Sequence, residues 1–214
     1  MKRGGWRGAV VAVRAVLLLM SVAGVGMRVE AQPAPPQQQT PQGPPAQQPQ
    51  PNPLATRQHF RLAFLAGQWE EQVTYADAKP GEEGFTGRWR ARPLLGLYLQ
   101  INYEGTGPQG PYRAFGVLTW DREAQVYRMW WFDDAVGIGE YKGDFTDENT
   151  LTLEHTGTVD GRAFRERIRY TRVSPGEVRT QVEQAWGTAA YQPYLEATAR
   201  RMRAPGGLGR QPRN

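Results

Sequence analysis

The chain has no cysteine in 214 residues, which removes disulfides, thiol nucleophiles, thiolate metal ligands and iron–sulfur ligation together. A bacterial lipoprotein anchor needs a lipidated cysteine and is excluded as well. Histidine is nearly as scarce, with only His59 and His155, so a three-ligand zinc site would have to recruit distant carboxylates. No Gly-x-Ser-x-Gly elbow, P-loop or His-Glu-x-x-His occurs. Gly137-x-Gly139-x-x-x-Gly143 is followed by strand-like sequence rather than by a phosphate-binding helix. No metal and no cofactor is expected, and the residues name no reaction.

Charge is missing altogether from residues 32–56, which are almost only Pro, Gln, Ala, Gly, Asn and Thr. Such a composition cannot bury enough apolar area to offset its ordering entropy, so a disordered, semi-extended linker is expected there. Before it, Lys2, Arg3, Arg7 and Arg14 precede an apolar run from Ala15 to Met27, and Val29-Glu30-Ala31 supplies a cleavage site before Gln32. Residues 1–31 read as a secretory signal peptide. The run is shorter than the roughly 20 apolar residues of a membrane span, so no anchor is expected after cleavage. The expected location is periplasmic or extracellular.

The net charge of +5 and the pI of 9.7 suggest a nucleic-acid partner only until this processing is considered. The expected signal carries +4 of the total, Arg210 and Arg213 sit in a Gly-, Pro- and Arg-rich tail at 204–214, and the span 57–203 is near −1. No nucleic-acid partner is expected for a domain so nearly neutral.

From Arg57 to Arg203 apolar and polar residues alternate with period two in segments separated by turn chemistry, which argues antiparallel sheet. Ten strands are expected near 68–75, 84–92, 97–104, 112–120, 126–133, 138–144, 150–157, 162–172, 177–186 and 194–202. Turn pairs such as Asp160-Gly161 and Pro175-Gly176 fall between them. Parity separates a dry face (Phe85, Trp89; Phe164, Ile168, Tyr170; Val178, Val182, Trp186) from a charged one (Arg88, Arg90; Arg165, Arg167, Arg169; Arg179, Glu183). A ten-stranded sheet with one dry face hides it by curling into a barrel, which also removes edge strands. The expected fold class is all-β, an antiparallel up-and-down barrel with a short N-terminal helix.

Several pieces occur in order over roughly residues 60–170: Leu62-x-x-Leu65-x-Gly67-x-Trp69, Phe85-x-Gly87, Leu95-Gly96-x-Tyr98-Leu99, Tyr103-x-Gly105, Gly116-Val117-Leu118-x-Trp120-Asp121, Tyr127-Arg128-x-Trp130 and Gly139-x-Tyr141-x-Gly143. Together they resemble the calycin superfamily of lipocalin-like barrels, and more specifically the bacterial domain-of-unknown-function 1579 family. The resemblance implies a barrel with room for a small apolar ligand, and it brings no activity with it. It also implies that Gly67 and Trp69 are structural, with Trp69 packed across the closed end under a late arginine, Arg200 or Arg201. Haem-binding nitrobindin-like relatives use a histidine near the C-terminal strands, and the last three strands expected here contain none.

The expected interior, and the candidate ligand site, is lined by Phe85, Trp89, Leu99, Ile101, Tyr103, Leu118, Trp130, Phe132, Ile168, Tyr170, Val182 and Trp186. Glu166 shares parity with Phe164 and Ile168 and faces the same space. A buried acid must be paired or held protonated, so Glu166 is expected either to pair with an inward arginine such as Arg128 or to hold a ligand head group. The candidate partner is a small hydrophobic molecule in a cavity of about 300 Å³ or more. A calycin-type enzyme is the second class, with Glu166, His155 or Asp133 as its acid–base groups, and a non-catalytic envelope interaction module is the third. Asp133 and Asp134 are adjacent on a strand, point to opposite faces and therefore read as a turn-terminating pair.

Overall fold

The computed structural model of the protein describes residues 52–79, 84–107, 110–134 and 137–202. The expected signal peptide, residues 32–51 of the expected linker, and the expected tail lie outside the described residues. The chain is tied down from Asn52, whose Nδ2 donates to the Leu95 carbonyl at 2.8 Å. A short helix α1 (Arg57–Arg61) and a 3-10 turn (Leu62–Phe64) lead into ten strands: β1 (Gly67–Tyr75), β2 (Phe85–Leu94), β3 (Tyr98–Gly107), β4 (Gly110–Asp121), β5 (Val126–Asp133), β6 (Ile138–Phe145), β7 (Thr150–Val159), β8 (Arg162–Ser174), β9 (Glu177–Trp186) and β10 (Gln192–Arg201).

Each strand pairs antiparallel with its sequence neighbours and β1 pairs with β10, so the sheet is a closed up-and-down barrel. The alternation expected from the sequence sets the faces: along β1 the buried residues are Trp69, Glu71 and Val73, and along β2 they are Gly87, Trp89 and Ala91. Outside, the arginine rows are compensated. Arg167 meets Glu154 at 2.7 Å and Glu183 at 3.4 Å, and Arg169 meets Glu183 at 2.8 Å. Asp160 and Gly161 both have positive φ, 50° and 74°, which suits the two-residue hairpin between β7 and β8.

One end is plugged. Leu62 and Leu65 are buried there, and the Tyr127 hydroxyl donates to the Gln58 carbonyl at 2.9 Å. The Arg61 guanidinium lies 3.7 Å over the Phe145 ring. Trp69 is fully buried, its indole N–H donating to the Leu65 carbonyl at 2.9 Å. In register it stands directly opposite Arg201 on β10 and Trp89 on β2. The Arg201 guanidinium lies 4.2 Å over the Trp69 ring on one side, and Trp89 stacks at 5.1 Å. Of the two arginines expected there, Arg201 is the partner, while Arg200 turns outward to Glu177 at 3.6 Å. Arg201 Nη1 also donates to the Ala66 carbonyl at 2.6 Å. Gly67, with φ 141°, is what admits it, since a Cβ there would stand 2.1 Å from Arg201 Nη1.

On β5 the expected face is inverted. Trp130 and Phe132 belong to the outer surface, Phe132 being 38% exposed and packed at 6.1 Å on exposed Phe115, while Tyr127 and Met129 are fully buried. Met129-Trp130-Trp131-Phe132 is apolar on both parities, so alternation marks no face there. The neighbours decide it, because Met129 is in register with Leu118 on β4 and Tyr141 on β6. The same parity turns Arg128 outward, to Asp121 at 2.8 Å and Glu140 at 3.4 Å, so it does not pair with Glu166.

Replacing Trp69 with Ala removes a fully enclosed indole and is expected to cost about 3–5 kcal/mol, enough to unfold most of the domain. Gly67→Ala should cost roughly 1–3 kcal/mol through backbone strain and displacement of Arg201. Urea denaturation followed by tryptophan fluorescence measures both, and a folded Trp69→Ala domain with unchanged midpoint would contradict the role assigned to the stack.

Candidate functional site

The interior divides into two halves along the barrel axis. Toward the plug, the enclosed residues are apolar: Leu99, Ile101, Leu118, Met129, Leu151, Leu153 and Val178 surround Trp69 and Trp89. Toward the open end, where β1–β2, β3–β4, β5–β6, β7–β8 and β9–β10 connect, the inward positions carry tyrosines and carboxylates. Glu71 follows Trp69 on the inward face of β1, Tyr103 stands on β3, Tyr112 on β4, Trp131 on β5, Tyr141 on β6 and Glu166 on β8, while Tyr170, in register with Leu151, is rooted deeper on β8. This half is more polar than the lining expected from the sequence.

Glu166 faces inward as expected. The Tyr141 hydroxyl donates to its Oε1 at 2.6 Å, and Gln184 Nε2 donates to its Oε2 at 2.8 Å. Burial, and next the Glu166 charge, hold the Tyr141 phenol far above its ordinary range, so Tyr141 stays a proton donor. Across the barrel, Glu71 is 8% exposed and burial pushes its carboxyl up to about 7. The nearby Tyr103 hydroxyl pulls the other way without reaching hydrogen-bonding geometry, and its oxygen is buried with no partner. Tyr170 lies within electrostatic reach of Glu71, Tyr112 and Glu166, and its phenol too is raised chiefly by burial. It nevertheless retains accessible surface, as do Tyr112 and Glu166.

Glycines make room for these rings. A Cβ on Gly87, which is in register with Glu71, would stand 2.1 Å from the Tyr103 hydroxyl oxygen, and one on Gly116 would stand 2.7 Å from the Trp131 ring. The indole N–H of Trp131 donates to the Tyr112 hydroxyl at 3.2 Å. The aromatic–x–glycine spacings of the sequence therefore record where inward rings lie on bare backbone.

Of the residues expected to line the site, Trp89, Leu99, Ile101, Leu118, Ile168 and Val182 are in the enclosed core, Tyr103 and Glu166 are in the open half, and Tyr170 stands below Ile168 on β8, in register with Leu151. Phe85 packs at 6.0 Å on Tyr75 near the open end. Trp186 has inward parity but stands at the rim, 39% exposed, against Phe164 at 4.9 Å. Trp130 and Phe132 are outside. Glu71, Tyr112, Trp131 and Tyr141 were not anticipated as lining residues. For Glu71 a signal was available, since it shares the parity of Trp69.

Of the acid–base candidates, His155 and Glu166 come together on β7 and β8. His155 opposes Glu166 in register, but its Nδ1 is 2.8 Å from the Glu140 carbonyl and so carries the proton it donates there. Tyr141, the group between them, has committed its proton to Glu166. Asp133 accepts from the Gly137 N–H at 3.3 Å, and Asp134 pairs with Arg113, as a turn-terminating pair does. His59 is bound into the start of α1, its Nδ1 accepting from the Thr56 N–H at 3.0 Å. Among the described residues no cluster of three metal-ligating side chains occurs.

Two depressions are seen outside the interior. One of about 1200 Å³ crosses the outer face around Glu70, Thr86, Arg88, Glu104, Arg113 and Arg179, and its Arg88 and Glu70 already neutralise each other at 2.9 Å. Another of about 440 Å³ lies by Gly67, Arg90 and Arg201 at the plugged end. Neither is the interior cavity expected from the sequence.

The family described as protein of unknown function (DUF1579) matches residues 54–201. No curated protein matches the chain. Among solved structures, Rv2717c from M. tuberculosis is similar with a TM-score of 0.51 and 13% identity, over 70% of this chain and 99% of that one. The S-type phycobiliprotein lyase CPES from Guillardia theta follows at 0.42 and 13%, over 69% and 95% of the two chains. A redesigned β-barrel, mFAP1, bound to DFHBI gives 0.37 and 19%, over 66% and 98%. The likeness to Rv2717c is one of fold alone.

Glu71 makes stability depend on pH. Its folded pKa of about 7 lies above the free value of 4.5, so the folded state holds the proton more tightly. The cost of burying the charged form is absent below pH 4.5 and fully present above about 7, amounting to roughly 3 kcal/mol. The stability difference between wild type and Glu71→Gln, measured by denaturant at pH 5 and pH 8, should therefore shift against wild type at the higher pH. A difference independent of pH would contradict the burial of an ionisable Glu71.

Proposed function

The chain belongs to the DUF1579 family, whose description names no activity, and we propose that it is an exported barrel that holds one small molecule in the open half of its interior. The observation that carries this reading is the lining itself. Inward aromatic rings seated over glycines meet two inward carboxylates and a Tyr103 hydroxyl that no protein group satisfies. A barrel whose only task was to be a packed core would fill these positions with aliphatic side chains, because every enclosed polar group costs stability unless it is paired. Binding sites, by contrast, combine an apolar wall with a few convergent polar groups.

The ligand in this reading is small and has an apolar body, as the sequence suggested, but it presents a polar or charged group to the carboxylates. Rim residues Phe164 and Trp186 would contact it on the way in. Cleavage of residues 1–31 would leave the Pro/Gln-rich stretch before Asn52 as a spacer between the new terminus and the barrel. An enzymatic role is less well supported, because Tyr141 and Gln184 already occupy both oxygens of Glu166 and Asp133 is held in a turn.

The test is native mass spectrometry of the protein purified from its own host. A mature chain beginning at Gln32 with one copy of a small organic molecule, displaced on unfolding, is the expected result. Bare protein from freshly lysed cells, with no small-molecule mass at any stoichiometry, would sink the binding reading. A full-length chain starting at Met1 would sink the export reading.

A further inference from the structure

The charges of the open half are one-sided. Glu71 and Glu166 face inward from β1 and β8. Lys and Arg take inward register positions on the described strands only at strand ends: Arg162 at the open rim, and Arg172 and Arg201 at the plugged end. Each has other contacts. The Arg162 guanidinium lies 5.2 Å from the Trp186 ring, Arg172 donates to Asn149 Oδ1, and Arg201 sits over Trp69. No described cationic side chain reaches the middle of this space to neutralise the two carboxylates.

The wall around them is aromatic. Tyr103, Tyr112 and Trp131 share the open half with Glu71 and Glu166, Tyr103 meeting Tyr112 and Trp131 edge to face at 5.7 Å and 6.5 Å, and Tyr170, rooted one layer deeper, comes within electrostatic reach of both carboxylates. Ring faces carry the negative side of the aromatic quadrupole and attract cations. The Tyr103 hydroxyl, nine-tenths enclosed and without a partner, lies over Gly87, which faces Glu71 in register. A neutral apolar ligand would leave two carboxylates in a partly dehydrated space with no counter-charge, and an anion would be repelled by both.

We propose that the open half of the barrel recognises a small organic cation, an amine or quaternary ammonium group on an apolar body, with Glu71 and Glu166 as counter-charges and Tyr103, Tyr112, Tyr170 and Trp131 as its aromatic wall. This rests on the reading that the interior holds a small molecule and names that molecule's chemical class. The ammonium sits between the two carboxylates against the ring faces, and the apolar body points toward Trp89 and the enclosed core. When the cation is an amine, its N–H donates to the Tyr103 hydroxyl oxygen; a quaternary ammonium is held by the carboxylates and rings alone.

Two probes of the same shape separate charge from size: benzyltrimethylammonium and its uncharged carbon isostere, neopentylbenzene. Each is titrated into the protein at pH 8 with tryptophan fluorescence as the readout. The cation should bind at least tenfold more tightly than the isostere. That preference should fall to less than threefold in Glu71→Gln and in Glu166→Gln, with circular dichroism confirming that both variants fold. Equal or tighter binding of the isostere overturns the cation proposal and leaves the small-molecule reading intact, as does a preference that survives both substitutions. Failure of both probes overturns the proposal too, and the native mass spectrum decides separately whether the small-molecule reading falls with it.

Discussion

The barrel depends on one stack, Arg201 over Trp69 over Trp89, drawn from the last, first and second strands where the sheet closes on itself. A sheet becomes a barrel only if its first and last strands find a unique register, and a register slip by one residue would turn every side chain to the wrong face. Here the register is pinned by a fully buried indole held on both sides. The cation–π contact contributes about 0.5–2 kcal/mol and the aromatic pair about 0.5–1.5 kcal/mol, beyond the area buried. Arg201 adds specificity by binding backbone carbonyls of the segment before β1, so the plug, the first strand and the last strand are fastened at one point.

That fastening leaves the two ends of the barrel with different physics. At the plugged end the chain closes over an apolar core, and the Trp69 indole N–H and the Tyr127 hydroxyl are both bonded to backbone carbonyls of the plug. Away from it the strands diverge from the plug, and tyrosines and carboxylates occupy the inward positions. Stability is concentrated where Trp69 is, and the chemically uncommitted groups are collected where it is not. The raised carboxyl of Glu71 and the unpartnered Tyr103 hydroxyl are costs that the packed half is able to offset.

Much of this was legible in the chain. Where a strand sets arginines against aromatics, as β2 and β8 do, charge marks the solvent side and the faces follow directly. The ten strands and their turns were readable for the same reason, and Gly67-Gln68-Trp69 identified the closed end. The open half was harder. Glu71 was overlooked because an acid between Glu70 and Gln72 looks like part of a polar stretch, although its parity with Trp69 placed it inside. On β5 nothing local could have helped, since Trp130 and Trp131 are identical residues on opposite faces.

The sequence by itself determined the class of fold, the number and order of strands, and the residue that closes the barrel. Each of these is written in local alternation, turn chemistry and a short ordered motif. Only the tertiary structure decided which tryptophan of β5 looks inward, that Arg201 rather than Arg200 covers Trp69, and that Glu166 bonds to Tyr141 and Gln184 rather than to Arg128. Those outcomes depend on cross-strand register. Register is a property of paired strands around a closed ring, set by long-range packing that no single strand contains.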